Sequence, residues 1–334
     1  MLLSWAMKIA ALLPHVEVYG GVRRYIEIGN ELSRRGYEFV LFNPEGTSPS
    51  WLKFYGKTKP FADLTRQSFD VGLCSEYSIL PAFKDLKAKV KYFYFVLGSH
   101  KMEKEVIQGD YHLLANSEGL SLRIRKKYKV PCLKVAGGVN TGLFRPEPRT
   151  KSAQEFRILC YGRIHKRRKG IRYVIRAVES LAKSFPQIKL VFFDSIVGKD
   201  RLDPRLLIQT SVPFEFHLDC SQEELAWIFS QSDLYVSAEW RAGWSNPSAE
   251  AMACGVPVVC TSSGTQDFAI HNRTALVVPL PFPFFLRKPI RKIIMDKDLR
   301  LRLSREGLKM IRKFKWPVLV DRLERIFQDS VKLK

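Results

Sequence analysis

Two stretches of this 334-residue chain have residue types suited to holding and releasing a diphosphate. The first is a loop after the apolar run 156–161. It packs Arg163, Lys166, Arg167, Arg168 and Lys169 between Gly162 and Gly170. The second is residues 241–259, RAGWSNPSAEAMACGVPVV. Gly243, Trp244, Ser245 and Asn246 read there as a loop, with Asn246 able to cap a helix and Pro247 suited to its first position. Glu250 is expected in the first turn, Gly255 ends the helix, and residues 256–260 read as a buried strand. A helix start offers several free N–H groups pointing one way, which favours anions. Two cations beside such a start are what a diphosphate needs when no metal neutralises it. An ordinary αβ connection next to a solvated basic loop would use the same residues.

Other chemistry is less sharply drawn. Gly20 and Gly21 form a flexible turn before a helix, a phosphate cradle that follows neither G-x-G-x-x-G nor a P-loop. His100 follows the strand-like run VKYFYFVL, where ligands of open α/β sheets bind. It reads as an acceptor contact or base, or as a solvated loop histidine. Asp296 and Asp298 have D-x-D spacing but stand near a helix start, so capping is expected of them rather than metal binding. No HExxH, G-x-S-x-G or Cys/His pattern is present.

The elements that must position these residues alternate strand and helix. Strands are expected at 8–13, 37–42, 69–74, 90–97 and 111–115, with a basic helix over NSEGLSLRIRKKYKV. Residues 145–155, RPEPRTKSAQE, lack apolar periodicity and read as a linker. The pattern then restarts, with strands at 156–161, 189–193, 212–217, 234–237 and 274–278. Ser221 and Glu224 make a capping box, and helices are expected at 299–313 and 317–331. Two such series imply two doubly wound α/β domains facing across a cleft. Their expected bounds are 1–148 and 149–314, with 315–334 as a separate C-terminal helix. Residues 1–6 read as a dispensable extension, with Met7 the functional start.

Composition narrows the partners. The chain is 46% hydrophobic and 26% charged, as in soluble globular proteins. No run approaches a membrane span, and no signal peptide is expected. The six cysteines lack C-x-x-C spacing and read as buried thiols in a reducing cytoplasm. The formal net charge of +22 is spread over both halves. It points to an anionic partner: a phosphorylated substrate, an anionic membrane surface or nucleic acid.

Five segments occur in a familiar order. They are the GGV turn with its RRG-terminated helix, NSEGL, GGVNTGLFRP, the GR…KG loop and EAMACGVPVV. Together they resemble the retaining glycosyltransferases of family 4, over about residues 7–327. The resemblance implies the GT-B fold of two Rossmann-like domains. It assigns Arg163 and Lys169 to the nucleotide diphosphate, Glu250 to the nucleotide ribose, and the backbone around Gly243, Trp244, Ser245 and Asn246 to donor sugar or phosphate. Gly20 and Gly21 would close over the phosphate from the other domain, and the helix after Trp316 would cross back to the first domain. No metal or cofactor is implied; the donor is a nucleotide-diphosphate sugar. The chain departs from the family twice. Ala242 stands where a glutamate is usual, eight positions before Glu250. The GR…KG loop is one residue longer, so that Arg168 competes with Lys169 for the lysine's place.

The expected activity is transfer of a sugar to a lipid-linked or cell-surface polysaccharide acceptor in the cytoplasm, against the inner membrane face. Residues 279–292, PLPFPFFLRKPIRK, set three phenylalanines beside four cations and read as either a membrane-interface segment or core packing. The RIRKKYK helix is a second candidate for membrane contact. A silent GT-B protein that binds a nucleotide sugar or glycan is the alternative, favoured by Ala242. A nucleic-acid binder ranks lower, because charge alone supports it and no recognition motif does.

Overall fold

The computed structural model describes residues 7–150, 154–198 and 202–333. The chain divides into two compact units. One holds the chain up to Gly138 together with the segment from Trp316; the other is Val139–Lys315. The first unit is built on β1 (Lys8–Leu12), β2 (Glu38–Asn43), β3 (Lys57–Pro60), β4 (Phe69–Cys74), β5 (Ala88–Phe95), β6 (His112–Ala115) and β7 (Leu133–Lys134). They form one parallel sheet in the order β3-β2-β1-β4-β5-β6-β7. Helices α1 (Gly20–Arg34), α2 (Leu80–Asp85), α3 (Glu103–Gln108) and α4 (Glu118–Tyr128) lie in the connections. The central strands are covered on both faces, so they are mostly apolar rather than alternating, with Asp70, Lys89 and Lys91 near the strand starts. Ile9 and Ala11 face a core with Val22, Tyr25 and Ile26 of α1. Ala10 and Leu12 face Phe42, Leu80 and Phe93 on the other side.

The second unit repeats the plan with β8 (Phe156–Tyr161), β9 (Ile188–Asp194), β10 (Phe214–Leu218), β11 (Leu234–Ser237), β12 (Val258–Thr261) and β13 (Leu276–Val278). Its parallel sheet runs β10-β9-β8-β11-β12-β13. The helices are α5 (Ile171–Ala182), α6 (Gln222–Ser230), α7 (Asn246–Ala253), α8 (Pro283–Met295) and α9 (Lys297–Ile311). The Ser221/Glu224 capping box opens α6, with both reciprocal bonds formed. Asp296 caps α9, its carboxylate accepting from the Leu299 amide at 2.8 Å. The final helix, α10 (Trp316–Lys332), belongs to the first unit. Leu319, Val320, Leu323 and Phe327 complete the α1 side of that core. Arg35 pairs with Glu324 at 2.7 Å and Asp321 at 2.8 Å, and the Tyr37 hydroxyl donates to Glu324.

Some sequence expectations need correcting. The boundary placed at 148/149 falls at Gly138/Val139. The polar stretch is held within the second unit: Gln231 donates to the Pro148 carbonyl at 2.9 Å and Arg149 pairs with Asp233 at 2.8 Å. The residues read as a linker thus spend their polar groups on α6 and the β11 approach. Residues 151–153 of that linker, and the extension at 1–6, lie outside the described residues. Gly20 and Gly21 are not a turn before the helix; they are the first two residues of α1, with Tyr19 as its N-cap. Residues 283–295 form α8, whose inner side (Leu286, Ile290, Ile293 and Ile294) packs into the core. All six cysteines are free, and five of them are buried. Among the described residues no helix is long and apolar enough to cross a membrane.

Candidate functional site

The second sheet has its topological switch at β8, which pairs with β9 on one side and β11 on the other. Ligands of open α/β sheets bind beyond the carboxyl ends of strands at such a point. The basic loop leaves β8 there. The Arg163 guanidinium is buried and forked onto Asp194, the last residue of β9. Its Nε reaches Oδ1 at 3.0 Å and its Nη2 reaches the same oxygen at 2.7 Å. It also lies 5.2 Å from the centre of the Tyr161 ring. Lys169 Nζ donates to Glu239 at 2.8 Å and sits 5.1 Å from the same ring. Arg168 Nη1 donates to the other oxygen of Glu239 at 2.6 Å. Both candidates for the loop's second cation therefore converge on one buried carboxylate, with Lys169 the more enclosed of the two. Burial pulls the Lys169 ammonium below its usual range, against the pull of Glu239. Burial also pushes the Tyr161 phenol up, and Asp194 adds to this.

Glycine is required where this loop enters α5. Gly170 has φ +70, and a Cβ there would lie 2.7 Å from the Ala238 Cβ and against its carbonyl oxygen. The loop thus presses on the chain leaving β11, which carries Glu239. The Trp240 amide donates to the Arg168 carbonyl at 3.1 Å and closes the contact. Tyr161, Lys169, Tyr235, Glu239 and Pro247 line one small crevice. Pro247 brings the first turn of α7 to the same place.

The segment before α7 is pinned by the turn after β12. The Ala242 amide donates to Ser263 Oγ at 2.9 Å, and the Ser245 amide donates to the Gly264 carbonyl at 2.8 Å. Gly264 has φ +71, and a Cβ on it would meet the Ala242 Cβ at 2.7 Å. Ser245, not Asn246, is the N-cap, and Asn246 is the first helical residue. Glu250 accordingly falls beyond the first turn, and it is buried. Burial pushes the neighbouring Cys254 thiol up to about 12, and the charge of Glu250 adds to this. Trp244 turns its ring inward, 4.8 Å from Phe268 and 5.3 Å from Phe314. It packs this loop down, and Gly243 beside it is buried as well.

In the first unit, the switch lies between β1 and β4. Gly20 and Gly21 open α1 after β1. Glu76 follows β4, and its Oε1 would stand 3.7 Å from a Cβ on Gly21. Burial pushes the Glu76 carboxyl up to about 6. His100 stacks on Tyr77 with ring centres 3.9 Å apart. Its Nδ1 accepts from the Met102 amide at 3.2 Å, which leaves the neutral ring's proton on Nε2.

The fold therefore gathers Arg163, Arg168, Lys169 and the start of α7 at one switch point. Gly20, Gly21 and His100 are in the other unit. Asp194, Glu76 and the pairing role of Glu239 were missed from the sequence. Each follows shortly after, or ends, an apolar strand, and a charge in that place was the available signal. Among the described residues no group of three or more histidine, cysteine or acidic side chains could hold a metal ion.

Residues 145–310, nearly all of the second unit, match the model of the family Glycosyl transferases group 1. D-inositol 3-phosphate glycosyltransferase of Corynebacterium jeikeium is 25% identical over 172 residues, 49% of this chain and 41% of that protein. The capsular polysaccharide biosynthesis glycosyltransferase CapM of Staphylococcus aureus is 24% identical over 49% of this chain and 44% of its own length. The chain thus spans less than half the length of either relative. The solved structure of Anabaena HepE in complex with UDP and glucose superposes with a TM-score of 0.76 at 13% identity, covering 96% of this chain and 99% of that one. At that identity the likeness is one of fold: two parallel-sheet Rossmann-like domains of the GT-B type.

Proposed function

We propose that this chain is a retaining, metal-independent glycosyltransferase. It moves a sugar from a nucleotide-diphosphate donor to a lipid-linked or cell-surface polysaccharide acceptor, working in the cytoplasm against an anionic inner membrane face. The observation that carries the reading is the convergence of Arg163, Arg168 and Lys169 at the β8/β11 switch, beside the first turn of α7. The family match over this unit supports it, as do relatives named for sugar transfer and a structural neighbour solved with UDP and glucose.

Breaking a glycosyl–phosphate bond builds negative charge on the departing diphosphate. Fixed cations and helix-start N–H groups stabilise that charge without reorganising. Arg163 and Lys169 would hold the diphosphate, with Arg168 at the rim, and Glu250 would accept hydrogen bonds from the nucleotide ribose. Backbone N–H groups of Gly243, Trp244 and Asn246 would face donor sugar or phosphate. Asp194 and Glu239 keep the cations ordered while the site waits. Retention is assigned to attack on the face the phosphate leaves, with the phosphate taking the acceptor proton, so a pair of catalytic carboxylates is not required.

Ala242 favours a second reading, a silent GT-B protein that binds a nucleotide sugar and does not turn it over. A panel of UDP-, GDP- and dTDP-sugars, read by thermal shift and then by sugar release, separates the two. Binding with turnover supports the transferase; binding without it supports the silent protein. Lys169→Met should weaken binding of the donor that shifts the parent, by about 2 kcal/mol. An undiminished shift in that variant would refute the diphosphate assignment. Arg163→Ala should abolish the shift too, but it also leaves Asp194 buried without its counter-ion. It is therefore read beside Lys169→Met, after its fold is checked.

A further inference from the structure

The outer side of α8 is one continuous stripe. Phe284, Arg287, Lys288, Arg291, Lys292 and Met295 are all exposed, and their spacing of three and four places them on one helix face. Phe284 is 78% exposed, and Leu280 and Phe282, just before the helix, are each 45% exposed. Helix α5 packs beside α8 and presents Arg172 and Arg176 to solvent. Among the described residues, none of these six cations makes a side-chain hydrogen bond or ion pair. On α4, a second basic helix, Arg123 and Lys127 are by contrast spent on Glu103, and Arg125 faces Glu118. The two candidates for membrane contact are thus no longer equal.

Scattered exposed apolar residues are ordinary. Three clustered phenylalanine and leucine side chains bordering six uncompensated cations are not, because each feature asks for a partner and the two ask for the same one. Aromatic and aliphatic groups enter the acyl boundary while the cations meet lipid phosphates. Phe282 meets Tyr173 edge-on at 5.4 Å, and Tyr173 lies 6.0 Å from Trp240. Trp240 is bonded to the Arg168 carbonyl, so the patch runs to the rim of the candidate site.

We propose that the outer face of α5 and α8 docks on an anionic lipid surface, with Phe284 and its apolar neighbours entering the interface. This names the face by which the proposed transferase meets its anionic membrane; it rests on that part of the proposed function and stands independently of the donor assignment. A phosphate-bearing bilayer fits better than a glycan, since α8, which carries most of the patch, offers apolar rings and cations and no carboxylate or amide to pair with sugar hydroxyls.

The test is flotation of the full chain with phosphatidylcholine vesicles, with and without phosphatidylglycerol. The chain should float only with phosphatidylglycerol and detach as salt rises. Combining Arg287→Gln, Lys288→Gln, Arg291→Gln and Lys292→Gln should lower the partition roughly hundredfold or more. Phe284→Ser should lower it about tenfold. Lys126→Gln on α4 should change nothing. Equal flotation on neutral vesicles, or an undiminished partition of the four-site variant, overturns the proposal. Preferential capture by a soluble acidic polysaccharide overturns it as well. Thermal shift with UDP-sugars on the same samples keeps the two readings apart. A variant that keeps its donor shift and loses flotation supports the surface, and a parent that floats without any donor shift tells only against the donor site.

Discussion

At the scale of single residues, the candidate site is defined by its counter-ions as much as by its cations. Asp194 and Glu239 are each almost fully buried, and each holds a cation that a diphosphate would also attract. Taking a charge out of water is costly unless a partner accompanies it, so the pairs keep the cations in place without a ligand. Glu76 is the opposite case, a half-buried carboxyl with no cation paired to it among the described residues. Burial pushes it from 4.5 to about 6, so the folded chain favours its protonated form. The associated stability is full below the unfolded value and is lost as pH rises through about 6. A shift of this size is worth about 2 kcal/mol at neutral pH. Glu76→Gln should therefore stabilise the chain by about that amount at pH 7 and by little at pH 4, read by urea denaturation at both. A variant destabilised at pH 7 would show that the ionised carboxylate has an unrecognised partner.

Between elements, the connections leaving β8 and β11 matter most. Gly170 lets the basic loop turn into α5 while its backbone lies against Ala238, and Gly264 does the same for the turn beneath Ala242 and Ser245. Neither position has room for a methyl group, and both have positive φ. Gly170→Ala should cost about 1–3 kcal/mol and also weaken donor binding, because Ala238 cannot move without shifting Glu239 and the two cations it holds. The measurement is denaturation together with donor titration. Lost stability with unchanged donor affinity would mean that Glu239 is anchored independently of this contact.

Over the whole molecule, the last helix belongs to the unit the chain began with. Leu319, Val320, Leu323 and Phe327 of α10 sit in the first unit's core, beside Tyr92 and the residues of α1. Tyr92 donates to Ser330 at 2.6 Å, and Arg35 ties α10 to the end of α1. Deleting residues 316–334 should uncover that apolar face and destabilise the first unit, leaving the second with all its own strands. Limited proteolysis should then degrade the region before Gly138 first and leave a resistant fragment near 139–315. Uniform resistance across the chain would show that α10 is dispensable to the first core.

Much of this was settled locally along the chain. Strands buried on both faces must be largely apolar, so β4, β8 and β11 were placed to the residue, and the Ser221/Glu224 box and the Asp296 cap follow from side chains reaching only three residues. The basic loop between Gly162 and Gly170, and its place after a strand, were legible in the same way. What tertiary structure alone decided depends on partners far apart in sequence. It decided that Arg163 faces Asp194, that Arg168 and Lys169 share Glu239, and that on α4 Arg123 and Lys127 go to Glu103 and Arg125 to Glu118 while α8 spends none of its cations among the described residues. It also decided that the stretch read as a linker is held by α6 and the residues after it. Sequence spacing sets helix and strand period, but charge pairing depends on which strand ends the sheet order brings together.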